Sequence, residues 1–306
     1  MWLRKASVLG GPAALACALA VGLPAAPEAA GREAGGVLRV GTSGLLTGDA
    51  TKGDKEKTAL ETLKSFIRDE TGMGNEIVRE KSWQALVDQL AAGKVQVGVF
   101  KGSEFAWAQG SHPKLKPLAL AADLYVLRTA YVVTQKTNPA SDFAGLKGKA
   151  LAVPATGEDY TQLFAEGLAR KAGQPLDKLF SKVTHPANVE DAIDDVVDGV
   201  VGATVVDRAA LEAFKARKPG RFRRLKRVAQ SEPFPPAVIA YYGNGLEASR
   251  REKFQRGLLN ASQNEKGKLM LALFHLTGFA KPPADFDAVL ARVRKDYPPE
   301  KHVAAK

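Results

Sequence analysis

Three short turns carry the residue types best suited to gripping a small polar guest: Thr42-Ser43-Gly44, Gly102-Ser103 and Ala155-Thr156-Gly157. Each follows an apolar run that reads as a strand and leads into a segment that reads as a helix. At such a turn the first backbone N–H groups of the helix have no intrahelical partner and the helix dipole is positive, so hydroxyls placed there extend a ready anion site. Open α/β sheets bind ligands beyond the carboxyl ends of their strands, which adds the strand end near Asp207 to the set. Asp207 has a second reading as the cap of the helix that follows it. Tyr125 and Tyr131 either wall the site or pack a hinge. Lys101 and Arg128 either supply positive charge to it or are solvated surface. Trp83 and Trp107 recur at helical spacing among apolar neighbours and read as core.

Other chemistries find little support. The single cysteine, Cys17, lies in an apolar leader, so the processed chain has no thiol for a disulfide, a metal or a nucleophile. His112, His185, His275 and His302 show no metal-ligand pairing, and neither a phosphate loop nor a nucleophile elbow is present. No metal or cofactor is expected. The run Arg221 to Arg227 holds five cations in seven residues. Phe222 and Leu225 interrupt it, and Val228 follows, as in a surface strand, so it reads as a basic outer edge and not as a nucleic-acid contact.

The elements that position the turns follow from hydrophobic patterning. Met1 to Lys5 is a basic tip and Ala6 to Ala26 a run of small and apolar residues, the pattern of a secretory signal peptide ending near residue 30. After it, short apolar strands alternate with amphipathic helices, the pattern of an α/β protein with largely parallel sheets. The layout occurs twice. Val87 to Val99 and Ile193 to Val205 are each a helix end, a stopping glycine and a strand. Upstream, Leu38 to Gly44 parallels Leu151 to Gly157. Two matches in the same order predict two similar lobes, with Arg128–Thr134 and Pro235–Tyr242 as apolar strands crossing between them. The helices beyond residue 250 have no sheet of their own and are expected to pack on the first lobe. Pro298 to Lys306 reads as a frayed tail.

Across the processed chain the sequence resembles the phosphonate-binding family of periplasmic solute-binding proteins. The resemblance is carried, in order, by Leu38–Gly41, Gly93–Val99 with Gly102–Ala108, Tyr125–Val133, Asp142–Lys149, Val183–His185, Lys266–Leu269 and Thr277–Phe279. It implies a type II periplasmic-binding-protein fold: lobe 1 from 37–128 and 235–306, lobe 2 from 129–234, and two hinge strands. It further implies a small anionic ligand in the interlobe cleft, a phosphonate, phosphate or phosphite. The partner it implies is an ABC transporter membrane permease, with a periplasmic location and no catalytic step, and a monomer is expected. In the family the turn at Pro154 to Gly157 is hydroxyl-rich and grips the phosphonate oxygens. Here it keeps Thr156 and Gly157 but has Ala155, with Glu158 and Asp159 directly after. His185 matches a family histidine near the cleft, alternatively a satisfied strand-end residue. Asp207 matches a family acid that meets an amine or hydroxyl of the ligand. The turns and the resemblance together make Thr42, Ser43, Gly102, Ser103, Tyr125, Thr156, Gly157, His185 and Asp207 the candidate ligand residues.

Overall fold

Among the described residues twenty-two α-helices and β-strands lie between Leu38 and Asp296, most strands followed by a helix. In chain order they are β1 (Leu38–Thr42), α1 (Asp54–Thr71), β2 (Asn75–Arg79), α2 (Trp83–Ala91), β3 (Val97–Phe100), α3 (Gly102–Ser111), β4 (Leu115–Ala122) and β5 (Ala130–Gln135). Then come β6 (Ala150–Ala152), α4 (Asp159–Lys171), α5 (Leu176–Leu179), β7 (Lys182–Thr184), α6 (Val189–Asp198), β8 (Ala203–Asp207), α7 (Arg208–Arg217) and α8 (Pro219–Phe222). Last are β9 (Leu225–Gln230), β10 (Val238–Tyr242), α9 (Ala248–Leu259), α10 (Glu265–Leu273), β11 (Gly278–Ala280) and α11 (Phe286–Asp296). The structure is a computed structural model and describes residues 37–43, 54–155 and 159–299. The expected leader, Gly44, Thr156, Gly157, Glu158 and the tail from 300 onward lie outside the described residues.

The strands form two sheets, ordered β11-β4-β10-β3-β1-β2 and β7-β6-β8-β5-β9. Their centres have one plan. In the first, β3 pairs parallel with β1 on one side and antiparallel with β10 on the other; in the second, β8 pairs parallel with β6 and antiparallel with β5. The repeat seen in the sequence is therefore a repeat of helix, left-handed glycine, strand and helix. Gly93 (φ 69°) ends α2 ahead of β3, and Gly199 (φ 78°) ends α6 ahead of β8. A side chain with Cβ is strained at such φ, which is why glycine marks both stops.

The expected crossing strands need correcting. Residues from Ala130 onward lie inside the second sheet as β5, and residues from Val238 onward lie inside the first as β10. Alternation of apolar residues reported the strands but not where the sheet begins. The connections proper are the shorter stretches before each strand, and they meet where Arg128 and Phe234 exchange both backbone hydrogen bonds, at 2.9 and 2.8 Å. A further departure is β11, three residues pairing antiparallel with the edge of β4, too short to leave a period in the sequence.

Packing joins the two sheets at this crossing. Phe234, 1 % exposed, lies between Tyr160 of α4 and Tyr297 after α11, with ring centroids 5.6 and 4.8 Å away. Phe105 of α3 stacks on Phe286 of α11 at 6.4 Å. Trp83 and Trp107 lie 6.2 Å apart and half-buried, and the Trp107 indole donates to the Tyr297 carbonyl at 2.8 Å. The outer faces have their own cores. Leu38, Val40, Phe66, Ile67, Phe254 and Met270 fill the first, and Tyr131, Val133, Ile193, Val206 and Phe214 the second. Helices α9 and α10 pack on the first sheet's side, as expected from their lack of strands.

Candidate functional site

Beyond the carboxyl end of β3 the chain bonds to the first turn of α4 from the other sheet, and at the end of β8 Asp207 is acted on by Arg128 of the first connection. Ser43 follows β1 directly, and Ser103 is the second residue of α3, just after β3. Both hydroxyls have partners within the chain. Ser43 Oγ–H donates to Glu104 Oε2, which also accepts the Lys101 backbone N–H at 3.2 Å. Ser103 Oγ–H donates to Asp159 Oδ2 in the first turn of α4, a bond from one sheet's side to the other. Burial pushes the Glu104 carboxyl above the usual range, against the hydrogen bonds from Ser43 and Lys101 that pull it down, and Asp159 raises it further. Glu104 was legible as an N-terminal cap, an acid three residues after the residue preceding the helix. Its reach to Ser43, 61 residues away, was not.

Thr42 ends β1 as a buried side chain. Gly102 meets a steric demand: a Cβ there would stand 1.9 Å from the Pro235 carbonyl oxygen, so the hinge passes too close for any side chain. Tyr125 lies in the first connection. Its hydroxyl donates to Glu212 of α7, and the Arg208 guanidinium stands 3.8 Å over its ring. The hydrogen bond to Glu212 and partial burial both push the tyrosine hydroxyl up from its ordinary value. Tyr131 packs instead in the outer core of the second sheet, beneath Arg227 at 4.9 Å.

Asp207 caps α7, accepting the Ala210 N–H at 2.8 Å. Burial raises its carboxyl from the ordinary value, opposed by that bond and by Arg128. Arg128 itself pairs with Asp123 at 3.3 Å with its side chain 11 % exposed, so the cation guards the hinge and is not solvated surface. His185 follows β7. Its Nδ1 lies 3.0 Å from the Val153 carbonyl, which fixes Nδ1 as the protonated nitrogen, and its ring lines a cavity of about 420 Å³ with Gln162, Glu166 and Arg170. Among the described residues Thr42, Ser43, Gly102 and Ser103 thus lie at the carboxyl ends of β1 and β3 inside the first sheet, Tyr125 and Asp207 flank the hinge, and His185 lies along α4.

Part of the basic run is spoken for. Arg221 pairs with Asp194 and Asp198 at 2.5 and 2.7 Å, and Lys226 donates to the Asn138 carbonyl. Among the described residues no group of three or more His, Cys, Asp or Glu could hold a metal ion, and no helix is long and apolar enough to cross a membrane.

Two similar α/β sheets facing one another across a paired double connection define a periplasmic-binding-protein fold. The sequence model for the periplasmic substrate-binding proteins of phosphonate ABC transporters matches residues 50–286, and the chain belongs to that family. No curated relative matches the chain. Among solved structures it is similar to PhnD1 of Prochlorococcus marinus in complex with methylphosphonate, at 16 % identity and TM-score 0.56, over 85 % of this chain and 97 % of that one. A Xanthomonas citri protein bound to ATP gives 15 % identity, TM-score 0.60 and coverage of 85 and 96 %. A binding protein component of an ABC phosphonate transporter from Pseudomonas aeruginosa gives 14 %, 0.54, and 84 and 85 %. At these identities the likeness speaks to fold.

Proposed function

We propose that the chain is the exported receptor of an ABC importer and captures one small phosphorus oxyanion, a phosphonate, phosphate or phosphite, between its two sheets. The lobes are 37–128 with 235–306, and 129–234, closing about the Arg128–Phe234 junction. The observation that carries this reading is the bond from the Ser103 hydroxyl, beyond the carboxyl end of β3, to the start of α4 from the opposite sheet, with Ser43 beyond β1 tied to Glu104 of the same α3 turn. The positive ends of helix dipoles and the hydroxyl donors there suit an anion's oxygens. Thr156 and Gly157, which precede α4 in the sequence, are expected to complete the grip. The protein works as a monomer in the periplasm, hands its ligand to a membrane permease, and performs no chemistry on it.

A thermal-shift screen of phosphate, phosphite, alkylphosphonates, sulfate and small zwitterions at low salt tests the reading. A ligand that prefers the native closed state raises the melting temperature with its concentration. At least one phosphorus oxyanion is expected to stabilise the protein, and Thr156→Val to weaken the effect. Stabilisation by cations or neutral solutes alone would contradict it.

A further inference from the structure

The two hydroxyls that an oxyanion would take are already donated to carboxylates of the chain, and one of these bonds joins the two sheets. Ser103 is 1 % exposed, so water is no substitute partner for its hydroxyl; Asp159 is. A ligand oxygen that accepts from Ser103 comes to lie beside the Asp159 carboxylate. If that ligand is fully ionised, two anions meet at hydrogen-bond distance with no proton between them, and they repel. If it still carries an acidic hydrogen, it donates to Asp159 and the same contact becomes a charge-assisted hydrogen bond. Beside this corner stand Glu104, on which Asp159 acts, and Lys101 of the α3 turn. Glu104 Oε2 already accepts from Ser43 and from the Lys101 N–H, and Lys101 is exposed.

We propose, on the oxyanion reading given above, that Asp159 sets the specificity of the cleft by selecting tetrahedral oxyanions that keep an acidic hydrogen over sulfonates and sulfate of the same shape. The favoured species are the monoanions of an alkylphosphonate, of phosphate or of phosphite.

Methylphosphonate and methanesulfonate make the discriminating pair, because both present a methyl group and three oxygens and only the first retains a proton on its monoanion. Calorimetric titration of the processed wild-type chain is expected to give affinity for methylphosphonate about tenfold or more above that for methanesulfonate, the penalty for a buried acceptor left unmatched. That affinity falls as pH rises through the ligand's second ionisation. In Asp159→Asn the amide can donate, so methanesulfonate gains roughly the same factor and the pH dependence for methylphosphonate flattens. Wild-type protein that binds both ligands equally, with no pH dependence across that ionisation, overturns the role of Asp159 and leaves the oxyanion reading standing. This comparison needs no variant to fold. Where neither binds, phosphate and phosphite titrated against sulfate make the same comparison, and binding of none of these removes the oxyanion reading, and the role of Asp159 with it. A variant that retains the wild-type preference contradicts the assignment to this residue.

Discussion

Replacing Gly102 by alanine tests how the hinge and the candidate site are joined. The added Cβ would lie 1.9 Å from the Pro235 oxygen, 2.6 Å from its carbonyl carbon and 2.7 Å from the Pro236 oxygen. A carbon and a carbonyl oxygen rest at about 3.3 Å or more, so the start of α3 and the second connection must separate by more than an ångström. Both sides are backbone, and no flexible side chain can yield. Overpacking of this kind costs about 1–3 kcal/mol, and the double backbone clash argues for the upper end. For a chain of this size roughly 2–4 °C of melting temperature accompanies each kcal/mol, so Gly102→Ala should melt about 6–12 °C below wild type. Ser103 moves with the helix start, and a displacement near 1 Å at a binding group weakens ligand affinity as well. Circular dichroism melts with and without methylphosphonate read both effects. A variant that melts within about a degree of wild type and keeps its affinity would refute the claim that the hinge rests on this glycine.

Two further substitutions probe the same region. Phe234→Ala empties a site enclosed by Tyr160 and Tyr297 and should cost about 3–5 kcal/mol in urea denaturation; a loss below about 1 kcal/mol would show that the sheets are held elsewhere. Glu104→Gln keeps an oxygen for both Ser43 and the Lys101 N–H, since both donate to Oε2, while removing a desolvated charge. The folded-state pKa of Glu104 lies above its unfolded value, so the native state binds the extra proton. The contribution of Glu104 to stability is fully present below the unfolded value of about 4.3 and is lost as pH rises through the folded one. The glutamine variant should therefore be the more stable at neutral pH and show a flatter decline above the carboxylate range. Equal slopes for the two proteins would contradict a buried, charged Glu104.

Much of the architecture was legible because it rests on local signals. The stops at Gly93 and Gly199 need left-handed backbone, and the strands after them alternate or run apolar, so the duplication could be read from spacing. The hinge was displaced in the reading because β5 and β10 are as apolar as a crossing segment would be, and only hydrogen bonding assigns them to sheets. The site was legible in its turns and not in its pairings. Ser43 and Ser103 follow from their places after strands. Asp159, by contrast, stood in the sequence only as an acid just after the expected turn, and its contact with Ser103 spans 56 residues and two sheets. Asp207 carried two readings from the start, and the observed cap on α7 realises one of them.

Phosphorus-31 magnetic resonance of methylphosphonate mixed with the processed chain measures capture and chemistry together. The account predicts that one equivalent of ligand broadens or shifts on binding and that no new phosphorus resonance grows in over time. Unperturbed signals from methylphosphonate, phosphate and phosphite alike at high protein concentration, or the appearance of a product resonance, would contradict it.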